Sequence, residues 1–564
     1  MKVISLKRNL IIGAIVLLLG AFVALSVASG ATIYVDDDNT SGPWDGTLGH
    51  PYQFIQEGID SASAGDTVYV FNGTYYERVN VYKAINLIGE NKDSTVIAGG
   101  YNEYVEISAN RVNLSGFTVE GNGDMTYGIY VVSDSNTIFN NIVKWGWYAR
   151  IYLFWGSYCT VSGNTVTGVR YGVGIRERYG SNNTIIGNFV DNPGHGIRSE
   201  LGASNTLISG NTVANCEAGV VLLHVYNDTI IGNNLDSGGI IIDPQYSDTL
   251  PFWNSHTIEN NYVNGRPIYY YKNNSDTVTV PSDAGQVILA NCSKITIRDL
   301  NLSGVYSGIQ LGFSSHNNIN GNTIAQSTDG YSISLAYSSF NNITENTLTD
   351  TNDAIDIYLR ESCDSNIISG NSIAGSGEGI HLHNSSGNRI FENNIANSGT
   401  GIRLYYGSNN ILYHNNFIEN SQNASGGSSN IYDDGYPSGG NYWSDFDDSS
   451  EGAYDKNQDG IVDSGYVIPE SAGDRDRYPL MNPWDGTPIT PPCGDASGDG
   501  NINSADIVRL INYLFVGGPQ PWPALCIGDV NTDGYVNSAD VGYLINYLFV
   551  GGPAPRNDCC TSLK

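Results

Sequence analysis

Short apolar segments recur at a regular spacing through the middle of the chain. The repeated word is apolar-x-x-Asn-x-apolar, for example "VSGNTV" around Asn164. Most steps between copies are 22 to 25 residues long, and two are longer, at 28 and 39 residues. The central position recurs at Asn141, Asn164, Asn188, Asn211, Asn233, Asn261, Asn322, Asn346, Asn371, Asn393 and Asn415, with degenerate copies at Phe117 and Leu300.

A period of this length, with several β-type segments in each unit, predicts a β-solenoid. Turns of a solenoid stack about 4.8 Å apart, so apolar residues at matching positions form inward ladders. The repeated Asn side chains can hydrogen-bond to their own copies in the turns above and below. We therefore expect the Asn positions to be structural. Leucine-rich repeats have a similar period but need a Leu-x-x-Leu-x-Leu word and a helical return, and the sequence has neither.

Segments on both sides break the period and predict caps, which a solenoid needs to cover its open strand edges. The segment "PYQFIQEGIDSASAGDTVYV", residues 51–70, predicts an N-terminal cap helix with Phe54, Ile55 and Ile59 on one face. The 39-residue step contains the insertion "NGRPIYYYKNNSDTVTVPSDAGQV". The tail "GGNYWSDFDDSSEGAYDKNQDGIVDSGY" predicts a C-terminal cap, which gives a solenoid over residues 31–485.

The "GNT-I" words, the segment "PIYYYKNN…VPSDAGQVILANCSKITI" and the tail "GGNYWSDF…DGIVDSGY" resemble right-handed parallel β-helix proteins of the NosD and carbohydrate-binding/sugar-hydrolase (CASH) group. The resemblance covers most of the chain. It implies a mainly β fold, a right-handed parallel β-helix. The group contains sugar lyases, hydrolases, epimerases and members without known chemistry, so the resemblance does not imply one reaction.

Charge and the N-terminus indicate a secreted protein. The chain has 57 Asp and Glu against 26 Lys and Arg, a net charge of −31, which argues against nucleic acid and anionic membranes as partners. Lys2, Lys7 and Arg8 precede an apolar run that ends near Ala28, which predicts a signal peptide over residues 1–28 and an extracellular or cell-surface location. The alternative is an uncleaved anchor, because the apolar run is long enough to span a bilayer.

The eight cysteines divide into two groups of four. Export permits disulfides, which we expect in the C-terminal group; the sequence does not give their pairing. The first group is scattered through the repeats and the second lies near the C-terminus: Cys159, Cys216, Cys292 and Cys363, then Cys493, Cys526, Cys559 and Cys560.

Residues that alternate with the inward apolar positions form outward columns across the turns. The early columns are Tyr130, Tyr152, Arg176, Arg198 and Val132, Phe154, Arg178, Glu200. The late columns are Gln310, Ser334, Asp356, His381, Arg403 and Gly312, Ala336, Tyr358, His383, Tyr405. Aromatic rings suit the apolar faces of sugars, and Arg suits uronate carboxylates. The candidate carbohydrate-binding residues are Tyr130, Tyr152, Arg176, Arg198, Tyr358, His383 and Tyr405. The alternative is that these side chains only stabilise the sheet.

The late columns also contain candidate catalytic residues, Asp356, His381 and Arg403. A polysaccharide lyase would use His381 as the base and Arg403 on the uronate carboxylate. A glycoside hydrolase needs two carboxyl groups, for which Asp356 has Glu361 and Glu378 near the strand ends. The sequence does not decide between these reactions or establish catalysis. With three Met and eight His, the sequence offers only the pair His381 and His383 as soft-metal ligands.

Two acidic loops near the C-terminus, "GDASGDGNINSAD" at 494–506 and "GDVNTDGYVNSAD" at 528–540, have the spacing of calcium loops. Alternate positions of such a loop direct oxygen atoms inward, and a glycine at position 6 permits the bend. The predicted ligands are Asp495, Ser497, Asp499, Asn501, Asn503 and Asp506, then Asp529, Asn531, Asp533, Tyr535, Asn537 and Asp540; Asn501 and Tyr535 would use their backbone carbonyls. An amphipathic helix is predicted after each loop.

The loop spacing, the duplication, the missing entry helix and the position after a Pro/Thr linker at 486–493 resemble type I dockerin domains, here over residues 494–556. The resemblance implies bound Ca²⁺ and a cohesin-domain partner, with Ser504, Ala505, Ser538 and Ala539 at the contact positions. Ile511 and Asn512 stand where dockerins usually have basic residues.

A third loop, "DKNQDGIVD", lies in the C-terminal cap and predicts a further calcium site at Asp455, Asn457, Asp459 and Asp463, although Tyr466 stands at position 12. Two functions are therefore consistent with the sequence. The first is a secreted carbohydrate-binding or polysaccharide-processing β-helix attached by its dockerin to a cohesin-bearing scaffold or cell surface. The second is a non-catalytic structural or adhesive solenoid that uses the dockerin for assembly.

Overall fold

The computed structural model describes residues 30–99, 105–121, 127–168, 171–191, 194–243, 249–325, 330–456, 459–489, 491–556 and 559–562. They form two compact units: unit 1 extends to Cys216 and includes Val221–Ile231, and unit 2 comprises Glu217–Val220 and the chain from Gly232. The predicted signal peptide lies outside the described residues. Among the helices that are described, none has the length and apolar character needed to cross a membrane.

Three parallel sheets make up unit 1. The first contains Thr32–Val35, Thr67–Val70, Asn86–Gly89, Asn113–Ser115, Thr137–Phe139, Thr160–Ser162, Thr184–Ile186, Leu207–Ser209 and Thr229–Ile231. The second contains Val79–Val81, Val105–Ile107, Tyr127–Val131, Ala149–Phe154, Val173–Arg178 and His195–Glu200. The third contains Gly73–Tyr76, Thr95–Gly99, Thr118–Gly121, Ile142–Val143, Thr165–Val166, Phe189–Asp191 and Thr212–Ala214. The strand Ala218–Leu223 contains residues of both units.

Unit 2 repeats this arrangement. One sheet contains Val278–Thr279, Ile295–Arg298, Asn318–Asn320, Asn342–Thr344, Ile367–Ser369, Arg389–Phe391 and Ile411–Tyr413. The next contains Arg266–Lys272, Gln286–Ala290, Ser307–Gly312, Tyr331–Ala336, Thr347–Arg360, Ser372–His383, Thr400–Tyr405 and Gln422–Gly426. The two long strands also pair with the third sheet, which contains Asn301–Ser303, Thr323–Ala325, Asn394–Ala396, Asn416–Ile418 and Tyr442–Trp443. The remaining strands are Asn234–Leu235, Ile240–Ile242, Thr257–Glu259, Tyr262–Val263, Tyr466–Val467 and Arg475–Asp476.

The repeat spacing therefore forms a parallel β-helix, as predicted. Inward apolar ladders run through it: Ile129 pairs with Ile151, Ile151 with Ile175 and Ile175 with Ile197, and all four are fully buried. The 39-residue step adds one further turn, because its insertion forms Arg266–Lys272 and Val278–Thr279, which pair in parallel with the next turn.

The predicted Asn ladder is present at the bends between strands. In unit 2 the side-chain amide of Asn322 donates to Asn346 at 2.9 Å, and Asn346 donates to Asn371 at 2.9 Å. The same bond links Asn141 to Asn164 and Asn164 to Asn188 in unit 1. Each amide also donates to a backbone carbonyl of the turn before, as Asn346 does to Ile319, which satisfies a fully buried polar group. A second ladder at another bend was not predicted; it contains Asn317, Asn341, Asn366, Asn388, Asn410 and Asn430.

The N-terminal cap is the helix α1, Ile55–Ser61, which buries Ile55 and Ile59. Phe54 does not share that buried face as predicted: it precedes the helix and is exposed, because the helix begins one residue later. The Glu77 carboxylate accepts the first backbone N–H groups of the helix at 2.7 and 2.9 Å. A second helix, α2, Leu250–Asn254, occupies the 28-residue step.

The C-terminal part contains the helices α3, Ser504–Ile511, and α4, Ser538–Ile545. Each continues into a π-helical turn, Asn512–Val516 and Asn546–Val550. A 3₁₀ turn spans Leu525–Gly528, and a last helix, α5, spans Cys559–Ser562. Disulfides join Cys493 to Cys559 and Cys526 to Cys560, which provides the pairing that the sequence left open. Cys159, Cys216, Cys292 and Cys363 are buried in the solenoid.

Candidate functional site

The early outward columns lie on the second sheet of unit 1 in the predicted register. Tyr130 pairs with Tyr152, Tyr152 with Arg176, and Arg176 with Arg198. Phe154, Arg178 and Glu200 align in the same way. Alternation of the strands places both columns on the same outward side, since the intervening residues Ile151, Leu153 and Ile175 are core residues.

Three arginines surround one carboxylate at this face, and we call Arg176, Arg178, Arg198 and Glu200 the arginine patch. Arg176 donates to Glu200 through Nε at 2.8 Å and also through its terminal nitrogen. The Nε of Arg198 lies 2.6 Å from the other oxygen, and the Nε of Arg178 lies 3.7 Å from the first. Glu200 and Arg176 are buried, whereas Arg178 and Arg198 are partly exposed. Glu200 balances only one of the three positive charges.

The positive potential of the patch acts on a neighbouring histidine. Burial, together with the charges of Arg198 and Arg176, lowers the pKa of His195 to about 4. His195 is therefore neutral near pH 7 and adds no charge of its own. The patch carries a net positive charge within a strongly acidic chain.

Aromatic rings surround the arginine patch. The guanidinium of Arg176 lies 4.1 Å from the Tyr148 ring centre, and that of Arg178 lies 4.8 Å from the Tyr179 ring centre. Tyr130 and Tyr152 pack against each other with centroids 5.6 Å apart, and Tyr152 is almost fully buried by its neighbours. Exposed rings stand at the strand ends, with Trp147 and Tyr171 before the strands and Trp155 after one of them. The sequence columns did not include these turn residues, because only strand positions were compared.

Behind the arginine patch, the solenoid interior contains two carboxyl groups, Glu177 and Asp228. Glu177 accepts hydrogen bonds from Asn183 and Thr206, both at 2.8 Å, and Ser199 lies near both carboxyl groups. Burial and the charge of Asp228 together raise the pKa of Glu177 to about 8, and burial raises the pKa of Asp228 to about 7. Both are fully enclosed and do not reach the outward face.

The late columns require a correction. Tyr358, not Asp356, aligns with His381 and Arg403, and Arg360 aligns with His383 and Tyr405. The segment "AIDIYLR" has apolar residues at 355, 357 and 359, so the sequence permits two frames that differ by two residues, and the structure uses Ile357 and Leu359 as the inward pair. Asp356 is fully buried and accepts hydrogen bonds from Ser332 at 2.9 Å and Ser376 at 2.7 Å. Asp356 therefore does not lie on the outward face where it was placed as a candidate acid.

Glu378 connects the remaining late candidates, and we call Glu378, His381, His383, Arg403 and Tyr405 the histidine patch. One oxygen of Glu378 lies 2.6 Å from Nδ1 of His381, and the other lies 2.5 Å from Nε of Arg403. Burial raises the pKa of Glu378, but the hydrogen bond from His381 and the charges of His381 and Arg403 together lower it below its usual value. Glu378 is thus a carboxylate that orients both side chains.

Aromatic rings in this patch and beside it stack along the sheet. Tyr358 packs on His381 with centroids 5.1 Å apart, and His383 stacks on Tyr405 at 5.3 Å. Nδ1 of His383 lies 3.4 Å from Glu361. The patch combines aromatic surface with a His–carboxylate pair and an Arg.

The two C-terminal loops have matching internal geometry. In the first, the backbone N–H groups of Asp499 and Gly500 donate to Asp495 at 3.1 and 3.0 Å. In the second, those of Asp533 and Gly534 donate to Asp529 at 3.0 and 2.9 Å. Asn503 and Asn537 are the N-cap residues of the helices α3 and α4. Asp506 and Asp540, at position 12 of each loop, complete a capping box with them. Each loop has two buried carboxylates, Asp495 and Asp506 in the first and Asp529 and Asp540 in the second, and carboxylate oxygens are the hard ligands that Ca²⁺ prefers.

The cap loop begins with the same backbone hydrogen bonds as the two dockerin loops. Asp459 and Gly460 donate their backbone N–H groups to Asp455 at 3.2 and 2.9 Å, and Asp463 accepts from the backbone N–H of Lys456 at 3.0 Å. The predicted ligand Asn457 lies outside the described residues. The predicted cohesin-contact residues Ser504, Ala505, Ser538 and Ala539 are all exposed at the starts of α3 and α4.

Two family profiles match the chain. The profile described as "Periplasmic copper-binding protein (NosD)" matches residues 59–273 and 257–448, and the chain belongs to this family. The profile described as "Dockerin type I domain" matches residues 493–549, so the chain carries a C-terminal dockerin domain. No curated protein matches the chain.

Solved structures with parallel β-helices align over much of the chain at low identity. An alginate lyase from Paenibacillus sp. str. FPU-7 is 12% identical, covers 58% of this chain and 98% of its own, and has a TM-score of 0.27. The Azotobacter vinelandii mannuronan C-5 epimerase AlgE4 A-module is 14% identical, covers 66% and 99%, and scores 0.28. A mutant tailspike protein of E. coli bacteriophage HK620 in complex with a pentasaccharide is 10% identical, covers 71% and 78%, and scores 0.34.

The described residues do not fit a copper centre of the kind that the family description suggests. The nearest histidines, His381 and His383, have their Nδ1 atoms beside Glu378 and Glu361, and their ring centroids are 6.4 Å apart. The three-residue acidic group found among the described residues, Asp447, Asp448 and Glu451, contains oxygen ligands only. Copper prefers imidazole and sulfur ligands, so no copper chemistry is assigned to this chain.

Proposed function

We propose that the protein is a secreted β-helix that binds acidic polysaccharide at the arginine patch and attaches through a calcium-dependent dockerin to a cohesin-bearing scaffold or cell surface. The observation that carries the proposal is the arrangement of three arginines around Glu200, flanked by exposed aromatic rings. Three guanidinium groups around one carboxylate leave the patch with a net positive charge, which attracts a polyanion.

The arginines have different roles. Arg176 is buried and holds Glu200, so it positions the patch. Arg178 and Arg198 are partly exposed, although one terminal nitrogen of Arg198 contacts Nδ1 of His195 at 3.3 Å and Arg178 lies on the Tyr179 ring. We infer that their exposed guanidinium edges bind a uronate carboxylate, which a guanidinium can hold through two hydrogen bonds. Trp147, Trp155 and Tyr171 offer exposed rings to the apolar faces of sugars on either side. Tyr130 and Tyr152 support this surface from within the sheet.

The test is binding of the full-length protein to a matched panel of soluble polygalacturonate, alginate and neutral β-glucan. We expect the two polyuronates to bind and the neutral glucan to bind at least about tenfold more weakly, since one charge-assisted contact contributes about 1.5–3 kcal/mol. Polyuronate affinity should fall with added salt. Equal binding of acidic and neutral glycans, or no binding, contradicts the proposal and favours the structural or adhesive alternative.

Calcium is the proposed cofactor of the dockerin loops, held by the Asp, Asn and Ser oxygens and the carbonyls of Asn501 and Tyr535. Calcium supplies no reaction here; it gathers carboxylates that otherwise repel one another. The cap loop at Asp455, Asp459 and Asp463 is proposed as a further calcium site. The exposed residues Ser504, Ala505, Ser538 and Ala539 are proposed to contact the cohesin, which implies an extracellular location.

Catalysis is a second candidate function, supported by the His381–Glu378 pair. In a lyase reaction, Nε2 of His381 would take the proton adjacent to the uronate carboxylate while Arg403 stabilises the developing negative charge. Both ring nitrogens of His381 are buried in the structure, so the substrate would have to displace the side chains that cover Nε2. The electrons form a C=C bond as the glycosidic C–O bond breaks, and the leaving oxygen takes a proton from water. Tyr358, His383 and Tyr405 would bind neighbouring sugars.

Incubation of the protein with the same polyuronates should then generate an ultraviolet-absorbing double bond. His381→Ala should abolish this product, and His316→Ala, at an exposed histidine in a turn, should leave it unchanged. Reducing ends without the double bond indicate hydrolysis. Absence of both products assigns the histidine patch to binding or to sheet stability.

A further inference from the structure

The segment that leads to the dockerin is packed against the C-terminal cap. Trp484 stacks on His414 with centroids 3.6 Å apart, and its backbone exchanges hydrogen bonds with the Asn416 side chain at 2.6 and 3.0 Å. Ile489 packs against the cap cluster of Tyr442, Ile461 and Leu480. The sequence predicts that this Pro/Thr-rich segment is a linker. In the structure, its described residues contact the cap.

The first dockerin loop and the cap loop face each other across Tyr436. A Cβ atom at Gly500 would lie 3.4 Å from the Tyr436 ring, so the glycine of the first loop lies against this ring. The Tyr436 hydroxyl is buried, and its pKa is raised first by burial and then by the charges of Asp459, from the cap loop, and Asp495, from the dockerin loop. The two loops line one cleft of about 740 Å³, with Lys456 and Arg477 on the cap side and Asp499 on the dockerin side.

Charge in this cleft opposes the contact. Asp459 and Asp463 line the cleft from the cap and Asp499 lines it from the dockerin, so carboxylates outnumber the two lining cations, Lys456 and Arg477. Arg477 already makes a two-point ion pair with Asp433 and is committed to the cap. Like charges at a shared interface destabilise it, and a divalent cation in the first dockerin loop would offset the charge of that loop.

We propose that Ca²⁺ in the first dockerin loop latches the dockerin onto the C-terminal cap of the solenoid, with Tyr436 as the contact between the two loops. The inference rests on the proposed calcium binding of the dockerin. Because ligand binding and docking are coupled reciprocally, docking raises the calcium affinity of the first loop as much as calcium favours docking. Ser504, Ala505, Ser538 and Ala539 remain exposed, so the latched dockerin still presents its proposed cohesin contacts. A scaffold would then hold the glycan-binding solenoid in a fixed orientation that is lost when calcium is removed.

The test uses the full-length protein and three single variants. Tyr436→Ala removes the contact ring, Ile489→Ser loosens the segment on the cap, and Tyr76→Ala changes an exposed tyrosine of unit 1 as the matched control. Small-angle X-ray scattering gives the maximum dimension with calcium and with EGTA, limited proteolysis probes residues 486–492, and calorimetric titration gives calcium stoichiometry and affinity.

With calcium, we expect wild type and Tyr76→Ala to be compact and resistant to cleavage. Tyr436→Ala and Ile489→Ser should be more extended and cleaved faster, with a calcium affinity of the first loop about five- to tenfold lower. EGTA should extend the wild type at least as far, because calcium removal both releases the dockerin and unfolds its helices. Unchanged dimensions in both variants, with both dockerin loops still binding calcium, overturn the latch alone. A wild type that binds no calcium overturns the latch together with the calcium function on which it rests.

Discussion

Arg198 and Glu200 stand two residues apart on one strand, and the Nε of Arg198 lies 2.6 Å from the Glu200 carboxylate. The same carboxylate accepts two hydrogen bonds from Arg176 in the preceding turn. Glu200 is almost fully buried on what the strand alternation makes an outward face. The buried ion pair therefore supports the positively charged surface of the arginine patch from below.

Glu200→Gln should destabilise unit 1 by about 3 kcal/mol, because it leaves a buried arginine without its opposite charge. The measurement is urea unfolding followed by tryptophan fluorescence. Glu120→Gln is the matched control, since Glu120 pairs with Lys144 at 3.0 Å in an exposed setting and should contribute less than about 1 kcal/mol. Equal effects of the two substitutions would show that the Glu200 pair is an ordinary surface contact.

Asn346→Ala should destabilise unit 2 by about 2–4 kcal/mol. The substitution removes the acceptor of Asn322 and the donor to Asn371, and each buried polar group left without a partner costs about 1–3 kcal/mol. Asn301→Ala, at an exposed strand position, should change the free energy of unfolding by less than about 0.5 kcal/mol. A tolerated Asn346→Ala would mean that the ladder does not support the fold.

Unit 1 should lose stability as the pH rises. Glu177 and Asp228 have folded-state pKa values of about 8 and 7, raised above the values near 4 of the unfolded chain. Between those limits the folded state binds more protons, so the free energy of unfolding falls by about 1.4 kcal/mol per pH unit for each group. The loss should be complete above about pH 8.

Urea midpoints measured at several pH values test this expectation. Glu177→Gln should flatten the decline and raise stability at high pH, whereas Asp93→Asn, at an exposed carboxyl of the same unit, should leave the slope as it is. A slope that Glu177→Gln does not reduce would show that Glu177 is not the protonated group.

Calcium removal should unfold the dockerin helices and leave the solenoid folded. Buried carboxylates such as Asp506 and Asp540 lose the cation that offsets their charges, while no predicted calcium ligand lies within the repeats. Circular dichroism should lose its helical component with EGTA and regain it with calcium, because the two disulfides keep the chain ends together. Helices that persist at full strength in EGTA would show that the disulfides alone fold the domain.

The sequence predicted the repeat frame well where each turn contained one unambiguous pattern. The "GNT" words placed the Asn ladder, and the alternation around Ile151 and Ile175 placed the early columns correctly. Around Asp356 the alternating apolar pattern is one residue pair longer than the inward face needs, so it fits two strand registers. Only the pairing of Ile357 with Ile333 and Ile380 selects the register that the structure has. Local pattern therefore decides the fold class but does not decide register where the pattern is degenerate.

Other parts of the candidate site depend on contacts that no periodicity encodes. Glu378 lies in the middle of the long strand Ser372–His383, and its importance comes from the side chains of His381 and Arg403 that converge on it. Trp147, Trp155 and Tyr171 lie in turns of variable sequence. The disulfide pairing and the contact of Tyr436 with Gly500 depend on how the chain returns on itself.

The most direct measurement is the affinity of the Arg178→Ala/Arg198→Ala double variant for polygalacturonate, compared with wild type and with Arg298→Ala, an exposed arginine of unit 2. Removal of both partly exposed guanidinium groups should weaken binding by at least about tenfold in a protein that remains folded, while Arg298→Ala binds as wild type does. The double variant should also unfold at a lower temperature, because it removes the Arg198 partner of the buried Glu200 carboxylate. A double variant that is folded and binds polygalacturonate as tightly as wild type would contradict the assignment of the arginine patch as the glycan-binding site.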